Sequence, residues 1–481
     1  MRNRCPPISA AVAVAGCIVL SGMAACTVGP DYTAPASSLA PFHNAAAVAA
    51  QNAARAAPPL DTWWTGFHDP VLTQIIQRAL AQNLDLAASL ARVQEARAAA
   101  EGAGARLLPT AELSSQATRV HQSLESPVGA IASHLPGFDR DVSLYDAGVG
   151  ATWEVDLSGG LRRGLEAAKA EAEAAEAEHL GVRVSVAAEA ADAYLQIRGD
   201  QARLKIAQDQ VDTDASLLER VRLRYANGLA ADREVAQAEG LMYQARATIP
   251  PLRQSLETQM NRLDVLMAAQ PGTYAAELST PAGIPPVPAV PTSLTPAEML
   301  RRRPDVVAAE RQVAAATARI GVAISDYYPK ISLSGLLGFE SMTAGDLFKA
   351  TTFQPVGVAG LRWRLFDFGK VDAEVGEAKG ATAAALAQYR KSVLEAAQDV
   401  ENAFSSLVQL EIQAQELARE VAALQKARDA SQQDYRTGIV ELTDVLDADR
   451  QLLAAQDELA RTRADTDRAA VAAFRAFGGG W

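Results

Sequence analysis

The sequence predicts a mainly α-helical protein that is internally duplicated and carries four β-strands, two in each copy. The duplication is the first observation: residues 153–239 align without a gap on residues 363–449. In each copy, an alternating apolar and polar run, which is typical of a half-buried strand, ends at a glycine. A long alanine-rich helical pattern follows, breaks at a Tyr-x-x-Gly turn and resumes, which indicates a helical hairpin.

Composition excludes several classes of function. The 481 residues include 57 acidic and 45 basic ones, for a net charge of −12, which argues against a nucleic-acid partner because a phosphate backbone needs a basic face. The three cysteines and five histidines do not form the spacings of a zinc site, a catalytic triad or a phosphate loop. We therefore expect no enzyme activity, no cofactor and no metal site.

The first residues form a targeting segment. An apolar run at residues 8–20 follows two arginines and is too short to span a bilayer, so residues 1–25 are predicted to be a signal peptide. Small residues directly before Cys26 resemble the lipoprotein cleavage box, and Cys26 is therefore the predicted acylation (palmitate) site. Cys17 also ends such a box, but cleavage there would leave only a stub of the apolar core. The mature chain keeps one cysteine, so no internal disulfide is expected.

The mature chain divides into an arm, two copies and a linker. Residues 26–60 are rich in Pro, Ala and Ser without a period, which predicts a lipidated extended arm. The first copy covers residues 61–270 and the second covers 295–481, with a Pro-rich linker at 271–294. The three arginines at 301–303 have an acidic chain around them, so they are interpreted as a solvated structural turn.

The strands have the length and the pattern of membrane strands. They are predicted at about 109–120 and 142–157 in the first copy, and at about 329–340 and 355–367 in the second. Strands of about ten residues cross a bilayer when tilted. Aromatic residues cluster at the strand ends that join helices, as in the aromatic girdle of a membrane barrel. They are Trp153, Trp363, Tyr327 and Tyr328. Two hairpins on a soluble core are the alternative, but only helices of coiled-coil type flank these strands.

Four strands cannot close a barrel, and an open sheet edge is not tolerated in lipid. Chains must then pool their strands into a membrane β-barrel. Two chains would give eight strands and three would give twelve, so the sequence predicts an oligomer.

The helical hairpins are predicted at about 159–269 and 369–477. A first helix of such a hairpin would extend on the order of 100 Å, at about 1.5 Å per residue. Apolar residues of the second copy recur every seven positions, which specifies a left-handed coiled coil; they are Leu386, Val393, Val400, Leu407, Ala414 and Val421.

Short motifs occur in order along the whole mature chain: residues 26–32 (Cys-Thr-Val-Gly-Pro-Asp-Tyr), 63–64 with 67–70, 91–97, 303–305, both Tyr-x-x-Gly turns and 444–447. Together they resemble the TolC-like outer-membrane factors, specifically the lipoprotein (NodT- and OprM-like) branch of tripartite efflux systems. The resemblance implies a homotrimer with a twelve-stranded outer-membrane barrel continued by a periplasmic α-barrel of long hairpins. It also implies a passive exit duct for drugs or other small toxic compounds, with outer-membrane lipid, a periplasmic adaptor and an inner-membrane pump as partners.

The resemblance further implies two sites at the far periplasmic end. The adaptor would dock at the hairpin tips, which are Asn227, Gly228, Leu229, Thr437, Gly438 and Ile439. The periplasmic aperture would be formed by Asp444, Asp447, Tyr435 and Glu234. Some family members carry a basic latch residue where this chain has Val440, which leaves Tyr435 with Glu234 as the candidate latch pair.

Three alternatives to drug efflux remain at this point. Ducts of this family also serve type I secretion of polypeptides, and heavy-metal efflux is a second possibility. A periplasmic adaptor or scaffold is a third, since such proteins also use long helical hairpins. Ion conductance in a planar bilayer would separate a duct from an adaptor.

Overall fold

The computed structural model describes residues 27–36, 39–52, 57–292 and 294–481. The predicted signal peptide and the acylation site Cys26 lie outside these residues. The chain divides into two compact units. The first, here called the sheet unit, comprises the described residues up to Ala34, with Gln94–Glu173 and Arg311–Ala387. The second, the hairpin unit, comprises Pro35–Val93, Ala174–Glu310 and Gln388–Trp481.

The chain is mainly helical and has four strands. Its α-helices are α1 (Ala45–Asn52), α2 (Pro70–Gln82), α3 (Leu84–Ala105), α4 (Pro127–Ala132), α5 (Gly160–Ala226), α6 (Asp232–Leu266), α7 (Ala275–Leu278), α8 (Pro296–Arg302), α9 (Pro304–Ser325), α10 (Lys370–Thr437) and α11 (Leu442–Ala476). A 3₁₀ helix covers Leu60–Phe67. The strands are β1 (Thr110–His121), β2 (Asp141–Val155), β3 (Lys330–Ser341) and β4 (Phe353–Arg362). Of the helices in the described ranges, none has both the length and the apolar character needed to cross a membrane.

The four strands of the sheet unit form one antiparallel sheet in the order β1-β2-β3-β4. Leu113 pairs with Val149, and Val149 pairs with Leu337, so the odd-numbered positions of neighbouring strands lie on one face. This face is the apolar one predicted from the alternation, and it carries Tyr145, Trp153, Val155, Ile331, Leu333, Phe339, Phe353 and Leu361 as well. The sheet therefore joins the two copies through the β2–β3 pair.

The apolar face is not covered within one chain. Leu113 is 81% exposed, Leu337 64% and Leu361 68%. The outer strands β1 and β4 each have a free edge in the sheet of this chain. An exposed apolar surface with two unpaired edges indicates that the sheet meets lipid or another protein.

The fourth strand is shorter than its alternating pattern predicted. It ends at Arg362, which pairs with Lys330 at the start of β3. The residue before Lys330 is Pro329, which has no backbone N–H to extend the ladder. Beyond β4, the Asp367 carboxylate accepts hydrogen bonds from the amides of Gly369 (3.1 Å) and Val371 (2.9 Å), so it begins α10 instead of continuing the strand.

The duplication of the sequence reproduces one side-chain contact in both copies. The indole Nε1 of Trp153 donates to the carbonyl of Leu107 at 3.0 Å, and that of Trp363 donates to the carbonyl of Tyr327 at 2.9 Å. Each bond ties the end of the second strand of a copy to the segment just before its first strand. The tryptophans thus lie at the helix-joining ends of the strands, where the sequence predicted an aromatic girdle.

The start of the described chain is held by one buried arginine. Arg163, whose side chain is 5% exposed, donates to the carbonyls of Val28 (3.1 Å) and Gly29 (3.3 Å) and to the carboxylate of Asp31 (2.6 Å). Gly29 has a φ of +91°, and a Cβ there would lie 2.5 Å from the Cα of Gly321. The close backbone approach therefore requires glycine at both positions.

Replacing Arg163 with Met should release this segment without unfolding the sheet unit. Hydrogen bonds to charged groups contribute about 1.5–3 kcal/mol each. Loss of even about 1.4 kcal/mol would raise the open population tenfold. We therefore expect chymotrypsin to cleave after Tyr32 at least about ten times faster in the variant. Lys169→Met, at an exposed position of α5, is the matched control. Equal cleavage rates in the two variants would contradict the role of Arg163.

The sequence predicted an extended arm, but the arm contains a helix. Its segment Ala45–Asn52 is helix α1, because alanine is the strongest helix former and this run contains five. Val48 of this helix is fully buried, and the ring of Phe42 meets the ring of Phe404 at 6.2 Å. Asn52 donates to the carbonyl of Val290 at 2.8 Å. Burial in the hairpin unit therefore fixes a segment that lacks a visible apolar period.

The interpretation of Arg303 as part of a solvated turn is wrong. Arg303 is 8% exposed, and its guanidinium contacts the carboxylates of Asp305 at 2.6 Å and Asp399 at 2.9 Å. It also donates to the carbonyl of Ala476 at 3.2 Å. Two carboxylates and a carbonyl satisfy the buried charge, and they join α9, α10 and α11. Arg301, by contrast, is exposed.

The seven-residue repeat of α10 is buried over only part of its length. Val393, Val400 and Leu407 are buried, whereas Ala414 and Val421 are only half-buried. The buried part lies in the middle of α10, because Leu386, which is further from the turn, is also only half-buried. The apolar seam nearer the turn thus keeps surface that a single chain leaves open to contact.

Candidate functional site

The first hairpin tip is a glycine turn that ends α5. Gly228 has a φ of +72°, in the left-handed region. Its amide donates to the carbonyl of Tyr225 at 2.9 Å, and the amide of Leu229 donates to the carbonyl of Arg224 at 2.9 Å. This is the pattern of a Schellman cap, which satisfies the last carbonyls of a helix. The side-chain amide of Asn227 also donates to the carbonyl of Leu223 at 2.7 Å.

The second tip repeats this geometry. Gly438 has a φ of +77°, its amide donates to the carbonyl of Tyr435 at 3.1 Å, and the amide of Ile439 donates to the carbonyl of Asp434 at 2.9 Å. The hydroxyl of Thr437 donates to the same Asp434 carbonyl at 3.0 Å. The two Tyr-x-x-Gly sequences therefore encode the same turn.

Both tips are exposed. Leu229 is 68% exposed and Ile439 is 72% exposed, so each tip presents a large aliphatic side chain to solvent. A Cβ built on Gly228 or Gly438 meets no other described atom within 4 Å. Glycine is thus needed at both tips for its backbone angle alone, and the surrounding space is open to a partner.

Two carboxylates of the predicted aperture cap the helices that follow the tips. Glu234 accepts a hydrogen bond from the amide of Ala231 at 3.1 Å, and Asp444 accepts one from the amide of Glu441 at 3.1 Å. The two acids occupy equivalent positions in the duplicated sequence and have equivalent contacts. A carboxylate there satisfies a free amide and is stabilised by the positive end of the helix dipole.

Asp447 lies one turn further along α11. It is exposed and forms an ion pair with Arg450 at 2.7 Å, in which both side chains remain more than half exposed. Such a surface pair contributes little to stability. Asp444 and Asp447 are both exposed on the first two turns of α11, so they present negative charge close to the second tip.

The structure does not join Tyr435 and Glu234 by a hydrogen bond. The hydroxyl of Tyr435 is buried and has no hydrogen-bond partner among the described residues, and one oxygen of the Glu234 carboxylate instead accepts from the amide of Ala231. The guanidinium of Arg224 instead lies over the Tyr435 ring, 4.8 Å from its centroid. Burial raises the pKa of Tyr435, while the charge of Arg224 lowers it.

Arg224 is the site residue that sequence analysis missed. It lies in the last turn of α5 and supplies a positive charge beside the second tip, where Val440 cannot supply one. The duplication gave no signal for it, because the equivalent position in the second copy is Asp434. Its contact with Tyr435 is a cation–π interaction between the first and the second hairpin.

An apolar cluster lies directly behind the tips and joins all four hairpin helices. We call it the tip cluster; it contains Leu217, Leu218, Val221, Ala238, Met242, Leu442 and Val445, with Val235, Tyr435 and Leu446 packed against it. The tips are therefore held together by packing, and the polar groups lie around this cluster. Within the described ranges, no group of three or more His, Cys, Asp and Glu side chains is arranged to hold a metal ion.

Comparison with protein families gives one match that covers both copies. The family model described as outer membrane efflux protein matches residues 75–269 and 295–479. The gap between the two matched segments coincides with the predicted Pro-rich linker.

Individual relatives match over nearly the whole chain. The pyoverdine export outer membrane protein OpmQ of Pseudomonas aeruginosa is 32% identical over 428 residues, which are 87% of this chain and 87% of OpmQ. The toluene efflux pump outer membrane protein TtgF of Pseudomonas putida is 28% identical over 484 residues, or 98% of this chain and 96% of TtgF. Among solved structures, the outer-membrane channel OprN superposes with a TM-score of 0.86 at 32% identity, over 95% of this chain and all of that one.

Proposed function

The chain belongs to the outer membrane efflux protein family, and on that premise we propose that it is the passive exit duct of a tripartite efflux pump for drugs or other small toxic compounds. Relatives of this kind are outer-membrane efflux channels, and this protein is likewise located in the outer membrane. The family membership is the observation that carries the proposal. It also confirms the resemblance recognised in the motifs.

The uncovered sheet supports a trimeric barrel. Three chains would supply twelve strands and would pair every free edge of β1 with an edge of β4. The odd-numbered apolar face would then meet lipid. The even-numbered face would line the lumen, and it carries the polar residues Glu112, Gln116, Asp146 and Glu340.

The exposed tips support an adaptor as the periplasmic partner. Leu229 and Ile439 present apolar side chains on two similar turns, and a helical hairpin of an adaptor could pack against such a surface. The half-buried apolar seam of α10 near its turn supports contact between neighbouring subunits. Energy for transport would come from the inner-membrane pump, since the proposed duct is passive.

The names of the relatives support the proposed substrate class. OpmQ is named for pyoverdine export and TtgF for toluene efflux, so the two relatives are named for different compounds. A duct that does not itself select its cargo accounts for both. Selection would then rest with the partner pump.

Two measurements test this function. The purified protein should insert into planar bilayers as a trimer and give stable single-channel conductance. In a strain whose own outer-membrane efflux channel is deleted, expression of this chain with its cognate adaptor and pump should restore growth on toxic compounds. Restored polypeptide secretion or metal tolerance instead would redirect the substrate class. A protein that neither conducts nor complements would contradict the proposal.

A further inference from the structure

Two buried carboxyl groups face the same level of the hairpin unit, just behind the tip cluster. Asp214 of α5 is 0% exposed and Asp449 of α11 is 1% exposed. Asp214 lies one helical turn before Leu218, and Asp449 lies one turn after Val445. Leu218 and Val445 both belong to the tip cluster, so the helices, which run in opposite directions, bring the two acids together.

The contacts of the two groups are incomplete. One oxygen of Asp214 accepts a hydrogen bond from Gln210 Nε2 at 2.7 Å, and the other oxygen has no partner among the described residues. The Nε of Arg428 lies 3.3 Å from an oxygen of Asp449, without the direction of a hydrogen bond. A buried ionised carboxylate normally has several donors, so this arrangement favours a bound proton.

The surrounding charges do not compensate for two negative groups. On α10, Arg428 is shared between Asp449 and the exposed Asp429, to which its distance is 3.5 Å. Gln432 of α10 and Arg220 of α5 also lower the pKa of Asp449. The α6 members of the tip cluster are apolar, and the charged α6 residue Glu239 is engaged with Arg222.

Burial raises the pKa of Asp214 to about 6, and the nearby charge of Asp449 also raises it, while Gln210 lowers it. Burial likewise raises the pKa of Asp449, although Arg428 lowers it. The negative charge of Asp449 therefore makes ionisation of Asp214 less favourable, as in other close carboxyl pairs.

We propose that Asp214 and Asp449 form a proton-binding latch that holds the two hairpin tips together and releases them when the proton is lost. With one proton bound, the pair can remain buried with a single negative charge that Arg428 balances. Without it, two like charges repel each other directly behind the tip cluster. The latch rests on the proposed function as a duct, since it regulates how easily the tips separate.

The direction of the pH effect follows from linkage. The ordinary pKa of Asp214 is 3.8, and in the packed tips it is raised to about 6, so the packed tips bind the proton more tightly than separated tips do. Packing is therefore most favourable below about pH 3.8, weakens as pH rises from there to about 6, and changes little above that value because Asp214 is then ionised in both states. Mild acid should keep the duct closed and neutral pH should loosen it.

Single-channel recording on the trimer across about pH 3.5 to 7.5 tests the latch. We expect the open probability of the unmodified protein to rise between about pH 3.8 and about 6 and to level off above that value. Asp214→Asn, which imitates the protonated acid, should stay mostly closed across this range. Asp212→Asn, at an exposed position two residues away on α5, should follow the unmodified protein.

A second variant keeps the test decisive if Asp214→Asn assembles poorly. Gln210→Met removes the hydrogen bond that lowers the pKa of Asp214, so the midpoint of opening should shift to higher pH. A purely structural role for Gln210 would change the amplitude of opening without moving its midpoint. The latch is overturned if both variants titrate like the unmodified protein. Absence of conductance in every form would instead count against the duct itself.

Discussion

A Gly438→Val substitution is expected to abolish efflux while leaving the assembled trimer intact. Gly438 has a φ of +77°, and the left-handed conformation costs an L-residue about 1–2 kcal/mol, with a larger cost for a β-branched side chain. The turn should therefore rearrange and displace the exposed Ile439. Since a Cβ at this position meets no described atom within 4 Å, the damage should remain confined to the tip.

The matched control is Gly438→Asn, because asparagine tolerates the left-handed conformation. It adds a side chain of similar size but should keep the turn and retain most of the efflux activity. Drug susceptibility in the complemented strain, native gels for the trimer and cross-linking from position 439 to the adaptor are the measurements. If Gly438→Val fails to form trimers, the turn is needed for folding and the docking role loses its support.

Removal of the carboxylates predicted to form the aperture is expected to reduce cation selectivity strongly. In a trimer, Asp444 and Asp447 would contribute three carboxylates each to a narrow ring, and low-dielectric walls would focus their field. The double variant Asp444→Asn with Asp447→Asn removes these charges. Asparagine at position 444 can still accept the hydrogen bond from the Glu441 amide, so the helix cap is retained.

Ion selectivity of single channels is the measurement, taken as the reversal potential in a salt gradient. Glu416→Gln is the matched control, because Glu416 is an exposed acid on α10 that forms an ion pair with Arg419 one turn away. The double variant should move several-fold towards equal permeability for cations and anions, while the control should not. An unchanged reversal potential in the double variant would place the constriction elsewhere along the duct.

The repeating pattern of side chains made much of the fold predictable. The alternation in each copy identified which residues form the apolar face, and the register places Leu113, Val149 and Leu337 side by side as that pattern requires. The glycine of each Tyr-x-x-Gly sequence marked a helix end, and Gly228 and Gly438 adopt the same positive φ. These features depend on the residue itself and its near neighbours, so one sequence is enough to find them.

Other features depended on partners that are distant in the sequence. Arg303 looked like a solvated arginine until its contact with Asp399 was seen, and Asn52 of α1 contacts the Val290 carbonyl across more than two hundred residues. The alternating pattern predicted that β4 would continue past Arg362. The strand ends there because Arg362 pairs with Lys330, the first residue of the antiparallel partner β3. Local composition did not indicate these contacts.

The sequence by itself determined the duplication, the strand faces, the hairpins and the exposed tips, since periodicity and glycine geometry are local. Only the tertiary structure placed Arg224 over Tyr435, assigned Glu234 and Asp444 to their caps, and buried both Asp214 and Asp449. The physical reason is that the state of a charged or polar group is set by its burial and by its donors and acceptors. For these hairpins, those partners come from helices that are far apart in the chain and meet only when the two copies pack together.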